Sequence, residues 1–167
     1  KNKDNREESL AFARILGFIL SDGSIYLSKG KKCCEASFGS MVDAKSFNED
    51  VKIICGYDTT IGKRTRGIKG TTFRITLPEK ITKLIHSLDD IIIGKRATQA
   101  MKLPSFLLQD NCPNSVIREF LGGLFGGDAS APFISRNRFS NISFKWTTIE
   151  KHRNAMEIVF QQIKFLL

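Results

Sequence analysis

Two aspartates occupy matching places in this chain. Asp22 closes the apolar run 15-ILGFILSDG-23, and Asp128 closes 121-LGGLFGGDA-129. Each run starts with an aliphatic residue, carries glycine third (Gly17, Gly123), apolar residues fourth and fifth, and aspartate eighth. A carboxylate at a helix C-terminus faces the negative end of the macrodipole, so local helix stability does not call for it. Two such carboxylates brought together repel, and one takes up a proton unless a cation intervenes. Mg2+ or another divalent cation with oxygen ligands resolves that repulsion, using one or two carboxylates with water and phosphate oxygens. Alone, Asp22-Gly23 reads first as a helix stop and turn. Asp128-Ala129 has no such reading, and the pair together favours a metal site.

The elements that hold these acids must bring them together. Residues 10–20 are apolar on nearly every side, interrupted by Arg14 and Gly17, and residues 116–125 are similar. A helix hydrophobic all round belongs in a core. A mid-helix glycine costs about 1 kcal/mol relative to alanine. Loss of Cβ lets two helix backbones approach closely, which offsets that cost. The expectation is that Gly17 and Gly123 lie in a contact between the two helices, about a pseudo-twofold axis.

The match extends beyond the helices. At the spacing that carries Asp22 onto Asp128, Ser24 falls on Ser130, Ser37-Phe38 on Ser143-Phe144, and Lys45 on Lys151, without a gap. Helical patterns follow at 43–55 and 150–167, so the chain reads as a tandem repeat. The first unit continues into strands at 59–67 and 71–78, where Phe73, Ile75 and Leu77 alternate with Thr72, Arg74 and Thr76, and then a helix at 79–91. The second unit has no such continuation before Leu167. The expected organisation is a linker at 1–9, a first repeat at 10–104 and an incomplete second repeat at 105–167.

Composition narrows the class. The 167 residues are 41% hydrophobic with a formal net charge of +9, enough for a core and suggestive of a polyanionic partner. No apolar run reaches a membrane span, and the mixed-charge start is not a signal peptide, so an intracellular, membrane-free protein is expected. Cys33, Cys34, Cys55 and Cys112 contain no CxxC pair and read as reduced thiols rather than a zinc site.

The paired motifs resemble those of the LAGLIDADG (DOD-type) homing endonucleases, of the single-chain, two-motif kind encoded by introns or within inteins. The tract 101-MKLPSFLL-108 resembles the lysine-containing block upstream of the second motif helix in intein endonucleases. The resemblance implies an α+β fold of tandem αββαββα repeats whose antiparallel saddle sheets grip the major groove of double-stranded DNA. It makes Asp22 and Asp128 the catalytic, metal-binding carboxylates, Lys102 an active-site lysine, and the chain a monomer with an internal pseudo-dimer when the second repeat is complete. It implies Mg2+-dependent, site-specific hydrolysis of DNA.

Two departures bear on cleavage: Ala129 stands where the family usually has glycine, with strain at the turn after Asp128 or a shift of that turn expected, and the second repeat is short. The basic residues fit the implied saddle. Lys29, Lys31 and Lys32 cluster at the first hairpin turn. Lys63, Arg64, Arg66, Lys69 and Arg74 run along the second, and Arg136, Arg138 and Lys145 along the matching first hairpin of the second unit. In 142-ISFKWTT-148, Ile142, Phe144 and Trp146 are expected on one face, and Ser143, Lys145 and Thr147 on the other. Competing readings are a non-cleaving DNA-binding protein or decayed endonuclease remnant, and an RNA-binding splicing cofactor on the same scaffold.

Overall fold

The computed structural model describes residues 3–65, 70–130, 134–135, 138–139 and 143–167. Helix α1 (Lys3–Ser21) leads into strands β1 (Ser24–Ser28) and β2 (Lys31–Phe38), then α2 (Met41–Cys55), β3 (Gly62–Thr65), β4 (Thr71–Thr76) and α3 (Glu79–His86). A connector with two short 3-10 turns, Arg96–Thr98 and Ser105–Leu108, leads to α4 (Asn114–Asp128). The two-residue strands β5 (Ile134–Ser135) and β6 (Arg138–Phe139) and helix α5 (Arg153–Leu166) follow. The fold is α+β, with helices and antiparallel sheet.

Three sequence expectations shift. The expected linker at 1–9 is helical from Lys3: nothing in 3–9 breaks a helix, Ser9 Oγ donates to the Asn5 carbonyl, and Glu8 reaches Lys80 at 3.8 Å. The helix expected over 79–91 ends at His86, where the Ser87 N–H turns back to the Leu84 carbonyl. The strand expected over 142–148 is reduced, among the described residues, to a single bridge between Ala129 and Phe144.

The four-stranded sheet has the order β1-β2-β4-β3, all neighbours antiparallel. Its first hairpin turns on Lys29 and Gly30, both at positive φ (50° and 77°), as a tight two-residue turn matched to strand twist requires. Ile25, Cys34, Ala36, Phe38 and Ile75 are buried on one face, against α1, α2 and α3. Helix α2 is bounded by Ser40, whose side chain accepts from the Val42 N–H, and by Gly56 in the left-handed conformation.

The core is centred on α1 and α4, whose contact is the most extensive among the described residues. Ile15, Leu16, Ile19, Phe120 and Leu124 are fully buried there, and burying each such side chain contributes about 1.5–3 kcal/mol. The packing repeats element by element, with different aromatic partners, since Phe125 and Phe160 stand at the repeat positions of Ile19 and Ile54. Phe38 stacks on Phe18 of α1 (ring centroids 4.7 Å) and meets Phe47 of α2 at 5.2 Å. Phe144, its counterpart, meets Phe125 of α4 at 5.3 Å and Phe160 of α5 at 5.9 Å. Pairing across the two hairpins differs, however. The first register places Gly23 level with Ala36, so an identical repeat would set Ala129 opposite Ile142; it pairs with Phe144. A two-residue shift keeps every side chain on its face.

Candidate functional site

The glycines of α1 and α4 set the approach of the two helices. A Cβ added at Gly17 would lie 2.8 Å from the Leu124 nitrogen and against the Phe120 carbonyl oxygen. One added at Gly123 would lie 3.0 Å from the Phe18 nitrogen and against the Arg14 carbonyl oxygen. Gly127 continues the seam, since its Cβ would fall 2.7 Å from Ser21 Cβ. Gly122 and Gly126 face away, with open space where their Cβ atoms would be. Of the four glycines in 122-GGLFGG-127, two form the seam, one helical turn apart.

That crossing brings the C-termini of both helices, and both acids, to one cleft. Its volume is about 240 Å3, and Asp22, Arg96, Met101, Asp128, Lys145 and Trp146 are among its lining residues. Burial first, and then the neighbouring Asp128 carboxylate, raise the Asp22 pKa above the ordinary carboxylate value; Arg96 pulls it the other way. Asp128 accepts a hydrogen bond at Oδ2 from the Trp146 indole Nε1. The Arg96 guanidinium donates to the Ile19 carbonyl at 3.1 Å and to that of Leu20, two of the groups left unpaired at the end of α1. Burial lowers the Arg96 pKa, while Asp128 and Asp22 oppose that shift.

Asp22 and Asp128 thus come together as their spacing implied, and Lys102 does not join them. Met101 and Leu103 are buried in an extended stretch, so Lys102 between them turns outward, where its charge acts on Asp90. Among the described residues, the cations at the cleft are Arg96 and Lys145. Arg96 carried no sequence signal, having no counterpart in a motif; Lys145 was assigned to the hairpin surface and lies at the cleft wall as well. Of the two outcomes expected at Ala129, strain is absent, its φ of −94° and ψ of 150° being ordinary extended values, and the shift is present, since Ala129 pairs with Phe144.

The donor set suits a hard divalent cation. Two carboxylates share one cleft, where burial and, after it, the Asp128 charge raise the Asp22 pKa. Among the described residues there is no cluster of three or more His, Cys, Asp or Glu, so water or substrate oxygens would complete the shell.

Strand register divides the basic residues of the sheet between its faces. Lys31, Arg64 and Arg74 share the outer face with Tyr26, Glu35, Thr72 and Thr76. Lys32 pairs with Leu27, and Lys63 with Phe73, so both belong to the face that packs inward, at its open edges. Arg74 is already paired with Glu35 at 3.0 Å. Lys29 stands on the hairpin turn, and Arg138 and Lys145 are exposed in the second unit. Arg66, Lys69 and Arg136, expected to take part, lie outside the described residues, as does Ile142. Over 143–148 the exposure alternates as expected, with Ser143, Lys145 and Thr147 outward.

Comparison with known proteins adds neighbours without a family assignment. No protein-family model matches the chain. A replication factor C small subunit from Methanocaldococcus jannaschii is 28% identical over 166 residues, 96% of this chain and 9% of that protein. The chain therefore spans less than a tenth of the length of this curated relative. Among solved structures, a mesophilic variant of the homing endonuclease I-DmoI aligns at a TM-score of 0.48 and 15% identity, over 74% of this chain and 64% of that one. I-DmoI in complex with DNA and Ca aligns at 0.48 and 14% identity, over 74% and 60% of the two chains. The homing endonuclease I-WcaI bound to its DNA recognition sequence aligns at 0.46 and 13% identity, over 72% and 51%. No helix among the described residues is long and apolar enough to cross a membrane.

Proposed function

We propose that this chain is a DNA endonuclease domain of the LAGLIDADG type, cutting phosphodiester bonds of a specific duplex in a reaction that needs a divalent cation. The observation that supports this best is the convergence of Asp22 and Asp128 on one cleft at the close crossing of α1 and α4. Two acids kept together against their own repulsion, at the ends of helices that use glycine to meet, serve no evident purpose in stability.

The residues divide the work as follows. Asp22 and Asp128 would hold the cation. A divalent ion so bound supplies positive charge at the scissile phosphate and acidifies a water at neutral pH. Lys145, exposed at the cleft wall, offers a cation to the phosphate backbone, and the outer sheet face presents Lys31, Arg64, Thr72 and Tyr26 to phosphates and base edges. Arg96 fixes the end of α1 from which Asp22 projects and halves the net negative charge of the acid pair before any ion binds.

The test is a nicking assay on plasmid libraries with Mg2+ or Mn2+, beside metal-free DNA binding. Asp22→Asn and Asp128→Asn should each abolish cutting and leave metal-free binding at the parent level, since the hairpin cations carry it. Both should melt no lower than the parent, one repelling charge having been removed from a crowded cleft. Metal-dependent nicking that survives both substitutions would refute the proposal. DNA binding without nicking by the parent would make the chain a binding protein on the same scaffold.

A further inference from the structure

The two acids repeat in the sequence, but their supports do not. Trp146 is the one tryptophan of the chain, and its indole N–H donates to Oδ2 of Asp128. The spacing that carries Asp22 onto Asp128 carries Ser40 onto Trp146, and Ser40 is engaged in capping α2. Among the described residues no side chain donates a hydrogen bond to the Asp22 carboxylate. The pseudo-twofold symmetry of the cleft is therefore broken at Trp146.

The chemistry of the indole defines what it can do there. It is a donor with no acceptor atom, so it can orient a carboxylate and cannot itself ligate a hard cation. Its ring is held, 4.9 Å from Phe144 and 6.4 Å from Phe160 between centroids, by aromatic neighbours that are themselves packed on α4 and α5. A donor so fixed restrains the rotation of the carboxylate it serves. With Oδ2 engaged, Oδ1 of Asp128 is left to a ligand in the cleft.

We infer that Trp146 is a positioning residue for a divalent cation bound through Asp128, the outer partner that holds one of the two acids in its ligating orientation while Asp22 stays free to adjust. This rests on the reading of the cleft as a cation site. Ligating carboxylates are in turn hydrogen-bonded, and loss of such a partner costs 10–100-fold in metal affinity.

The experiment titrates Mn2+ alone into the full chain and counts the free ion by electron paramagnetic resonance. Trp146→Phe keeps an aromatic ring in the cluster and removes the donor, and should weaken Mn2+ binding by about 10–100-fold. Phe144→Leu loosens the ring without removing the donor, and should lower the melting temperature while weakening Mn2+ binding clearly less than Trp146→Phe does. In the parent chain, a Ca2+ titration should shift the Trp146 emission with a saturable midpoint that Asp128→Asn removes. Equal or tighter Mn2+ binding by Trp146→Phe, or an equal loss in Phe144→Leu, would overturn the inference. So would flat Trp146 emission, whether or not the phenylalanine variant folds. If the parent binds no Mn2+ that depends on Asp128, the cation site itself fails, and the positioning role with it.

Discussion

The glycines of α4 offer a prediction in which neighbouring positions have opposite signs. Gly122 and Gly123 lie in the same helical turn, and alanine at either removes the same propensity penalty of about 1 kcal/mol. At Gly122 the added methyl group meets nothing within 4 Å, so that gain should appear whole. At Gly123 it would stand 2.9 Å from the Arg14 carbonyl carbon and 3.0 Å from the Phe18 nitrogen. Carbon contacts are comfortable at about 3.5–4.0 Å, and the Arg14 carbonyl oxygen lies nearer still, so α1 and α4 must part by about 1 Å, forfeiting about half of the dispersion between them. Both obstructing groups are backbone and cannot rotate away. Overpacking costs about 1–3 kcal/mol, and the upper part of that range applies here, leaving a net loss of about 2 kcal/mol after the propensity gain. For a chain of this length 1 kcal/mol moves the melting temperature by about 2–4 °C. Gly122→Ala should therefore melt about 2–4 °C above the parent, and Gly123→Ala about 4–8 °C below it, by circular dichroism with urea denaturation as a check. Gly126→Ala and Gly17→Ala should follow Gly122 and Gly123 respectively. The account of the seam is wrong if Gly123→Ala melts at or above the parent, or if Gly122→Ala falls as far.

The division of the sheet faces predicts which cations meet DNA. Lys31→Ala with Arg64→Ala should reduce the slope of log affinity against log salt by just under two, at about 0.9 per phosphate, and Lys32→Ala with Lys63→Ala should reduce it less; equal effects would mean that the duplex follows the sheet edges. Arg14 joins three helices, reaching Asp50 of α2 at 2.9 Å through Nε and Glu119 of α4 at 2.9 Å through Nη1. Its hydrogen bond, followed by that of Arg118, lowers the Glu119 pKa, while the Arg14 pKa is itself raised, first by its bond to Asp50. A depressed carboxylate pKa contributes stability that is complete above the unfolded value, near 4.5, and is lost as pH falls through the folded one. Glu119→Gln should accordingly flatten the loss of stability in acid below about pH 4.5, read from urea midpoints, and a variant as acid-labile as the parent would remove Glu119 from the account.

Much of this arrangement was legible because it is written twice. The acids, Gly17 and Gly123, and the strand phenylalanines Phe38 and Phe144 recur at one spacing, and each phenylalanine meets the matching pair of helices, though through different aromatic partners. What was written once was not legible. Arg96 sits in a connector with no counterpart, and its reach to the Ile19 and Leu20 carbonyls depends on where that connector crosses the end of α1. Lys102 looked correct by position in its block, but the burial of Met101 and Leu103 decided its direction. The faces of Lys32 and Lys63 follow from strand register, which composition does not reveal. In 122-GGLFGG-127 the repeat singles out Gly123, but that Gly127 joins it in the seam while Gly126 faces open space follows only from the phase of α4 against α1.

The same contrast explains why a glycine is needed after one acid and not after the other. Beyond Asp22 the chain folds back on α1, and a Cβ at Gly23 would stand 2.5 Å from the Ile19 Cα. Beyond Asp128 the chain leaves α4 extended, with Ala129 opposite Phe144 and Ser130 donating from its backbone N–H to the Ser143 carbonyl at 2.8 Å. The two carboxylates therefore leave their helices along different backbone paths, although the helices that carry them are related by repetition. A shared cation needs the oxygens in register, and duplicated helices alone do not deliver that once the exits differ. Arg96 steadies the end of α1 on one side and Trp146 holds the carboxylate itself on the other. Repetition brings the acids to the cleft, and these two unrepeated residues determine how they are presented there.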